Sequence, residues 1–137
     1  MIDEAWIIKD MEEFYYRKLD VYKNAKSLSH EVCNLIKAYP VEERFGLCDQ
    51  LRRAVMSVPI NIAEGFGRYS AKEKAHFIQI AYGSLNEVMC ELELSEDESY
   101  ITAEQLKYFE QLIIPLRRKL SALHKTILDN GDFSIPK

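Results

Sequence analysis

The sequence predicts an all-α protein, an up-down-up-down antiparallel four-helix bundle, and three observations predict it. Apolar residues recur at alternating steps of three and four along four separate segments, which is the period of a helix face turned toward a core. Glycine and proline are scarce, at 5 and 4 residues, and no Asn-Gly or Asp-Gly turn separates alternating apolar strands. The connectors between the four segments are short, which sets consecutive helices side by side in alternating direction.

The first helix presents Val21, Ala25, Leu28, Val32, Leu35 and Tyr39 on one face and stops at Pro40, because the residue before a proline is pushed out of the α region. The second repeats the pattern with Leu47, Leu51, Ala54, Val58 and Ile62, and Gly65 and Gly67 end it. Ser70 followed by Glu73 forms a capping box that starts the third, whose core face is Ile78, Ala81, Leu85, Val88 and Leu92. The acidic run from Ser95 to Ser99 reads as a loop, and Thr102 with Gln105 supplies a second capping box. The last helix has the longest stripe, Leu106, Phe109, Ile113, Leu116, Leu120, Leu123 and Ile127, before Asn130-Gly131 offers a stop. Pro59 and Pro115 fall inside helices, where proline removes a hydrogen bond at a cost of about 3 kcal/mol. A bend is therefore expected at Pro59, and a bend or break near Ile114.

One core is what 137 residues support, so 1–137 reads as a single domain with a lead over 1–17 and a tail over 131–137. Trp6, Ile7 and Ile8 in the lead are placed to pack back on the bundle or to form an arm. A hydrophobic content of 47% with 29% charged residues excludes a disordered chain. The amino terminus carries acids where a signal peptide needs a basic start, and no apolar run approaches the roughly 20 residues that span a bilayer. A cytoplasmic protein with no membrane partner is expected. Cys33, Cys48 and Cys90 are far apart and form no CxxC pair, so they read as small buried hydrophobes rather than disulfide or zinc ligands.

Residues 50–70, QLRRAVMSVPINIAEGFGRYS, combine a paired arginine, an apolar helical run and Asn61-Ile62-Ala63-Glu64 before Gly65. The stretch resembles the signature of a bacterial four-helix-bundle family, ribosomal-protein-like, whose members are often encoded by intervening sequences in 23S rRNA genes. Its relatives include accessory proteins of diversity-generating retroelements. Leu19 to Tyr39 followed by Pro40 resembles the family's first helix, Pro59 stands where members commonly carry proline, and Ile80 to Glu87 resembles a block in the third helix. The resemblance runs from about Leu19 to Ile127. It implies a protomer that assembles into a ring-like homo-oligomer, a homopentamer, associated with nucleic acid.

The residues offer their own argument for self-association. Val55, Ile60 and Ala63 on the second helix, and Phe77, Tyr82 and Met89 on the third, fall outside the primary stripes. A single stripe per helix leaves them exposed, and contiguous exposed apolar surface marks an association site.

Arg52 and Arg53 are the leading candidates for phosphate contact, because guanidinium presents a planar fork of donors that matches phosphate oxygens. Arg68 and Lys72 extend the basic character past the second helix, and Arg117, Arg118 and Lys119 form another cluster. From Arg44 to Lys74 there are six bases against three acids. Against this stand a formal net charge of −4 and six acids from Glu87 to Glu98 with no base among them. Ion pairing of Arg52 and Arg53 with Glu64 or Glu87 is weighed equally with RNA contact. Asn61, Glu64 and Gly65 read as structural, with Asn61 and Glu64 sharing a helix face and hydrogen bonding to Arg53 or Arg68. His30, His76 and His124 fall on three helices without metal-ligand spacing, so neither a metal, a cofactor nor a catalytic residue is expected. The reading is a non-enzymatic, RNA-associated or nucleic-acid accessory scaffold. The alternative is an oligomeric protein-interaction adaptor, and a hydrolase using Glu64 with a histidine stands well behind both.

Overall fold

A computed structural model of the chain describes residues 14–131, and among them it holds four long helices and no strand. α1 spans Asp20–Leu35, α2 Leu47–Gly65, α3 Ala71–Asp97 and α4 Ala103–Asp129. Single 3-10 turns lead into α1 (Tyr15–Lys18), extend it (Ile36–Ala38) and approach α2 (Val41–Glu43). Trp6, Ile7 and Ile8 of the lead, and the tail beyond Gly131, lie outside the described residues.

The helices pack as a helical bundle. α2 lies against both α1 and α3, α3 also against α4, and α4 returns to α1, so α2 and α4 occupy opposite corners. The four stripes meet in one core whose fully buried members include Leu51, Ile62, Ile78, Leu85, Leu92, Ile113, Leu116, Leu120 and Ile127. Each such side chain contributes about 1.5–3 kcal/mol on leaving water, which makes the shared core the principal source of stability.

The helix ends follow their capping residues. At α4 the box is reciprocal: Thr102 Oγ1 accepts from Gln105 N–H at 3.0 Å, and Gln105 Oε1 accepts from Thr102 N–H at 2.8 Å. At α3 the Ser70 hydroxyl accepts from Glu73 N–H at 3.1 Å. Asn130 caps the end of α4, and Gly131 follows at φ +65, a left-handed position that suits glycine.

Four expectations need correction. α3 continues through Ser95, which is fully buried and donates its hydroxyl to the Glu91 carbonyl at 2.7 Å, so the polar residue is satisfied inside the helix instead of starting a loop. Of the bend or break expected near Ile114 the break is absent, since α4 runs on through Pro115. Pro115 is exposed, as is Gln111 one turn before it, so water is available to the carbonyl that proline leaves without a donor. Val55 is not association surface; it is fully buried, because α2 faces two neighbours and carries two apolar stripes. Of the cysteines only Cys48 is buried; Cys33 is half-buried and Cys90 exposed.

Pro59 is accommodated by a different device. It lies in the buried part of α2 and withholds the N–H that the Val55 carbonyl needs, yet Ser29 Oγ of α1 sits 3.0 Å from that carbonyl oxygen. The one proton of that hydroxyl is shared with the Ala25 carbonyl of its own helix, 2.9 Å away, so it supplies part of what the missing backbone donor would give and ties α1 to α2.

Candidate functional site

The connector between α1 and α2 folds into two 3-10 turns, and this compact path gathers cations that are distant in sequence. Lys37, Arg44 and Arg52 line one concavity of about 280 Å³, together with Tyr39, Pro40, Val41 and the buried Cys48. None of the three cations makes a hydrogen bond or ion pair among the described residues, and no acid lines the concavity. Burial pushes the Cys48 thiol up, against the opposing pull of Arg52.

The acid nearest in sequence is held elsewhere. Glu43 accepts from Tyr100 Oη at 2.7 Å and from the Leu47 backbone N–H at 3.2 Å, so its carboxylate caps the start of α2. The tyrosine bond holds the Glu43 carboxyl below the ordinary range and pushes the Tyr100 phenol up to about 12. Gly46 lets this carboxylate in, since a Cβ there would stand 2.8 Å from Glu43 Oε1. Two large apolar side chains of the connector face water: Val41, which lines the concavity, is 72% exposed, and Phe45, next to Arg44 in the chain, is 88% exposed.

Sequence reasoning singled out Arg52 here and missed its companions. Lys37 and Phe45 went unremarked, and Arg44 entered only in the count of charge. The available signal was the cluster Arg44-Phe45 in a connector, an exposed cation beside an aromatic.

The remaining predicted residues divide among other partners. Arg53 pairs with Asp49 at 3.2 Å, one turn earlier on its own helix, and with neither Glu64 nor Glu87. Arg68 pairs with Glu64 at 3.3 Å and lies 4.7 Å over the Phe77 ring. Asn61 donates to the Ser57 carbonyl and hydroxyl, each at 2.8 Å, and Ser57 meets Ser84 of α3 at 2.9 Å, so Asn61 joins an inter-helix polar node and not an arginine. Gly65 sits where α2 and α3 nearly touch; a Cβ there would lie 3.1 Å from Phe77 Cβ and 3.2 Å from the Lys74 carbonyl oxygen. Lys74 is buried, with Nζ donating to the carbonyls of Arg68 and Tyr69, and so is withdrawn from the basic surface. Lys72 is exposed.

The α4 cluster does not merge with the α2 cations, because the two helices occupy opposite corners. Its members also diverge: Arg117 donates to Asn86 at 3.0 Å and covers Tyr82 at 4.7 Å, Lys119 donates to Asn24 of α1 at 3.2 Å, and Arg118 is exposed between them.

The apolar candidates are likewise sorted. Ile60, 54% exposed, and Ala63 line a groove of about 750 Å³ between α1 and α2 that also receives Tyr22, His30 and Met56. Phe77 and Tyr82 are half-buried under their arginines, and Met89 packs half-buried on the core. Among the described residues no three His, Cys, Asp or Glu side chains are grouped to hold a metal, and no helix is long and apolar enough to cross a membrane.

Three comparisons bear on this arrangement. The model of the 23S rRNA-intervening sequence protein family matches residues 17–122. A crystal structure from Bacteroides thetaiotaomicron, described as a protein with unknown function from the S23 ribosomal protein family, aligns with a TM-score of 0.71 at 25% identity, covering 77% of this chain and 98% of that one. No curated protein matches the chain.

Proposed function

This chain belongs to the 23S rRNA-intervening sequence protein family, and we propose that it is a non-enzymatic, cytoplasmic scaffold that associates with RNA. The observation that carries the reading is the concavity lined by Lys37, Arg44 and Arg52, three unpaired cations with no acid among them. Such groups neutralise backbone phosphates and release counterions, which supplies affinity without sequence preference. A net charge of −4 does not oppose this, because charge acts locally: the six acids from Glu87 to Glu98 belong to α3 and the turn after it. The test is binding of a structured RNA from about 50 to 200 mM salt. Affinity should fall steeply, and the double change Arg44→Ala and Arg52→Ala should flatten the log–log slope by roughly 1.5. Negligible binding at the lowest salt sinks the reading and leaves the adaptor, which the α1–α2 groove favours.

The scaffold is further proposed to be an up-down-up-down bundle assembled as a ring-like homo-oligomer, a pentamer. Contacts of Ser57 with Ser84, and of Gly65 with Phe77, support opposite directions for α2 and α3. Exposed Met56 and Ile60 at the α1–α2 groove support association of copies. Light scattering at micromolar concentration should return a multiple of the protomer mass. A particle of 16.0 kDa rejects the ring.

A further inference from the structure

We propose that the connector between α1 and α2 binds single-stranded RNA, with a backbone phosphate seated among Lys37, Arg44 and Arg52 and an unpaired base stacked on Phe45. The inference rests on the RNA reading above and narrows it to one kind of RNA and one place on the molecule.

Phe45 lies outside the core of the fold. At 88% exposure it is far more open to water than the other described phenylalanines, of which Phe14 at 50% comes next. Arg44, the residue before it, lines the cationic concavity, so phosphate ligand and aromatic ring are consecutive in the chain. A phosphate and its base are also adjacent in a nucleic acid. A cationic recess beside an aromatic platform is the arrangement that tracks a single strand, because every base has a face to stack and no groove has to be entered. A duplex keeps its bases stacked on one another and offers Phe45 none.

The recess itself is set to hold an anion. Glu43 is turned away into the cap of α2 and the bond to Tyr100, and Asp49 is engaged by Arg53, so of the acids nearest in sequence only Glu42 is left free, exposed and outside the lining of the concavity. The other strongly exposed aromatic, Tyr69, shows what is missing elsewhere. It is 94% exposed, but Arg68 is paired with Glu64 and laid over Phe77, and Lys74 is spent on backbone carbonyls. Of the cations flanking Tyr69 in sequence only Lys72 is left free, whereas the α1–α2 connector gathers three free cations in one recess.

The experiment compares the full chain with Phe45→Ala, Phe45→Trp and Tyr69→Ala, using a short fluorescent single-stranded RNA, the same strand in a duplex, and adenosine monophosphate. The parent chain should prefer the single strand. Phe45→Ala should weaken that binding about tenfold with the salt slope unchanged, Phe45→Trp should restore it, and Tyr69→Ala should leave it as it was. Equal or tighter binding of the duplex overturns the inference, as does a Phe45→Ala protein with parental affinity, or a monophosphate bound as tightly as the strand. In those cases the RNA reading survives, since RNA is still bound. If no RNA binds even at low salt, both fall together. Circular dichroism of the Phe45 variants should match the parent chain, because the side chain is outside the core.

Discussion

The Glu91→Gln protein is expected to unfold at a higher temperature than the parent chain at about pH 8, with the gap narrowing as the pH falls through 7 and closing below 4.5. Glu91 is 4% exposed on α3, and its Oε1 has no hydrogen-bond partner among the described residues. Removal from water penalises the charged form, and the nearby Glu87 carboxylate adds to the penalty, so the carboxyl is pushed up to about 7. The direction of the pH effect follows. The fold holds the proton more tightly than the unfolded chain does, so the stability tied to neutral Glu91 is complete below the ordinary carboxyl value of 4.5 and is lost as the pH rises through about 7. The interval corresponds to at most about 3 kcal/mol, or roughly 10 °C in the unfolding midpoint for a chain of this size. Glutamine has the shape of the neutral acid and cannot ionise, so below the ordinary carboxyl value of 4.5 the two proteins carry equivalent groups in both states and should melt together. Calorimetry across that range checks the expectation. Parallel curves for parent and variant would show that the carboxylate finds solvation in the folded state.

Glu91 also shows where sequence reasoning stops. It was read as one of six acids in a polar run, whereas its position on α3, three residues after Val88 and four before Ser95, turns it inward with them. Charge composition is a property of the chain; burial is a property of the helix face, and the acidic run disguised the face. The stripes were readable because a period of 3.6 is enforced by the core itself, and the α4 series from Leu106 to Ile127 appears as predicted, with its members buried or half-buried. Val55 was misassigned because one stripe per helix is an assumption about neighbours, and α2 has neighbours on two sides. The prolines needed the same missing information: the cost at Pro59 depends on Ser29 of another helix, and at Pro115 on solvent access to the preceding turn. The cationic recess was half visible. Arg52 was picked for its chemistry, but Lys37 and Arg44 lie in connectors, and only their path through two 3-10 turns brings them beside it.

Adding a single carbon at two glycines is expected to have opposite consequences. At Gly65 a Cβ would be 3.1 Å from Phe77 Cβ and 3.2 Å from the Lys74 carbonyl, so α2 and α3 would have to separate at the point where Lys74 holds the Arg68–Tyr69 turn. For Gly65→Ala the gain in helix propensity, about 1 kcal/mol, offsets part of that crowding. Gly65→Val adds branching against backbone and should destabilise the protein by about 3 kcal/mol. Gly83, in the middle of α3, has nothing within 4 Å of a built Cβ. Gly83→Ala should therefore stabilise the isolated protomer by about 1 kcal/mol, since it only removes backbone freedom from the unfolded chain. The two substitutions share their chemistry and differ only in what surrounds them, so denaturant midpoints that move the same way would refute the packing assigned to the α2–α3 junction. If copies pack over Gly83, next to half-buried Tyr82 and three residues after exposed Ile80, then Gly83→Ala should raise the stability of the protomer while lowering the mass measured by light scattering at a given concentration. Stability and assembly would then respond in opposite directions to one methyl group.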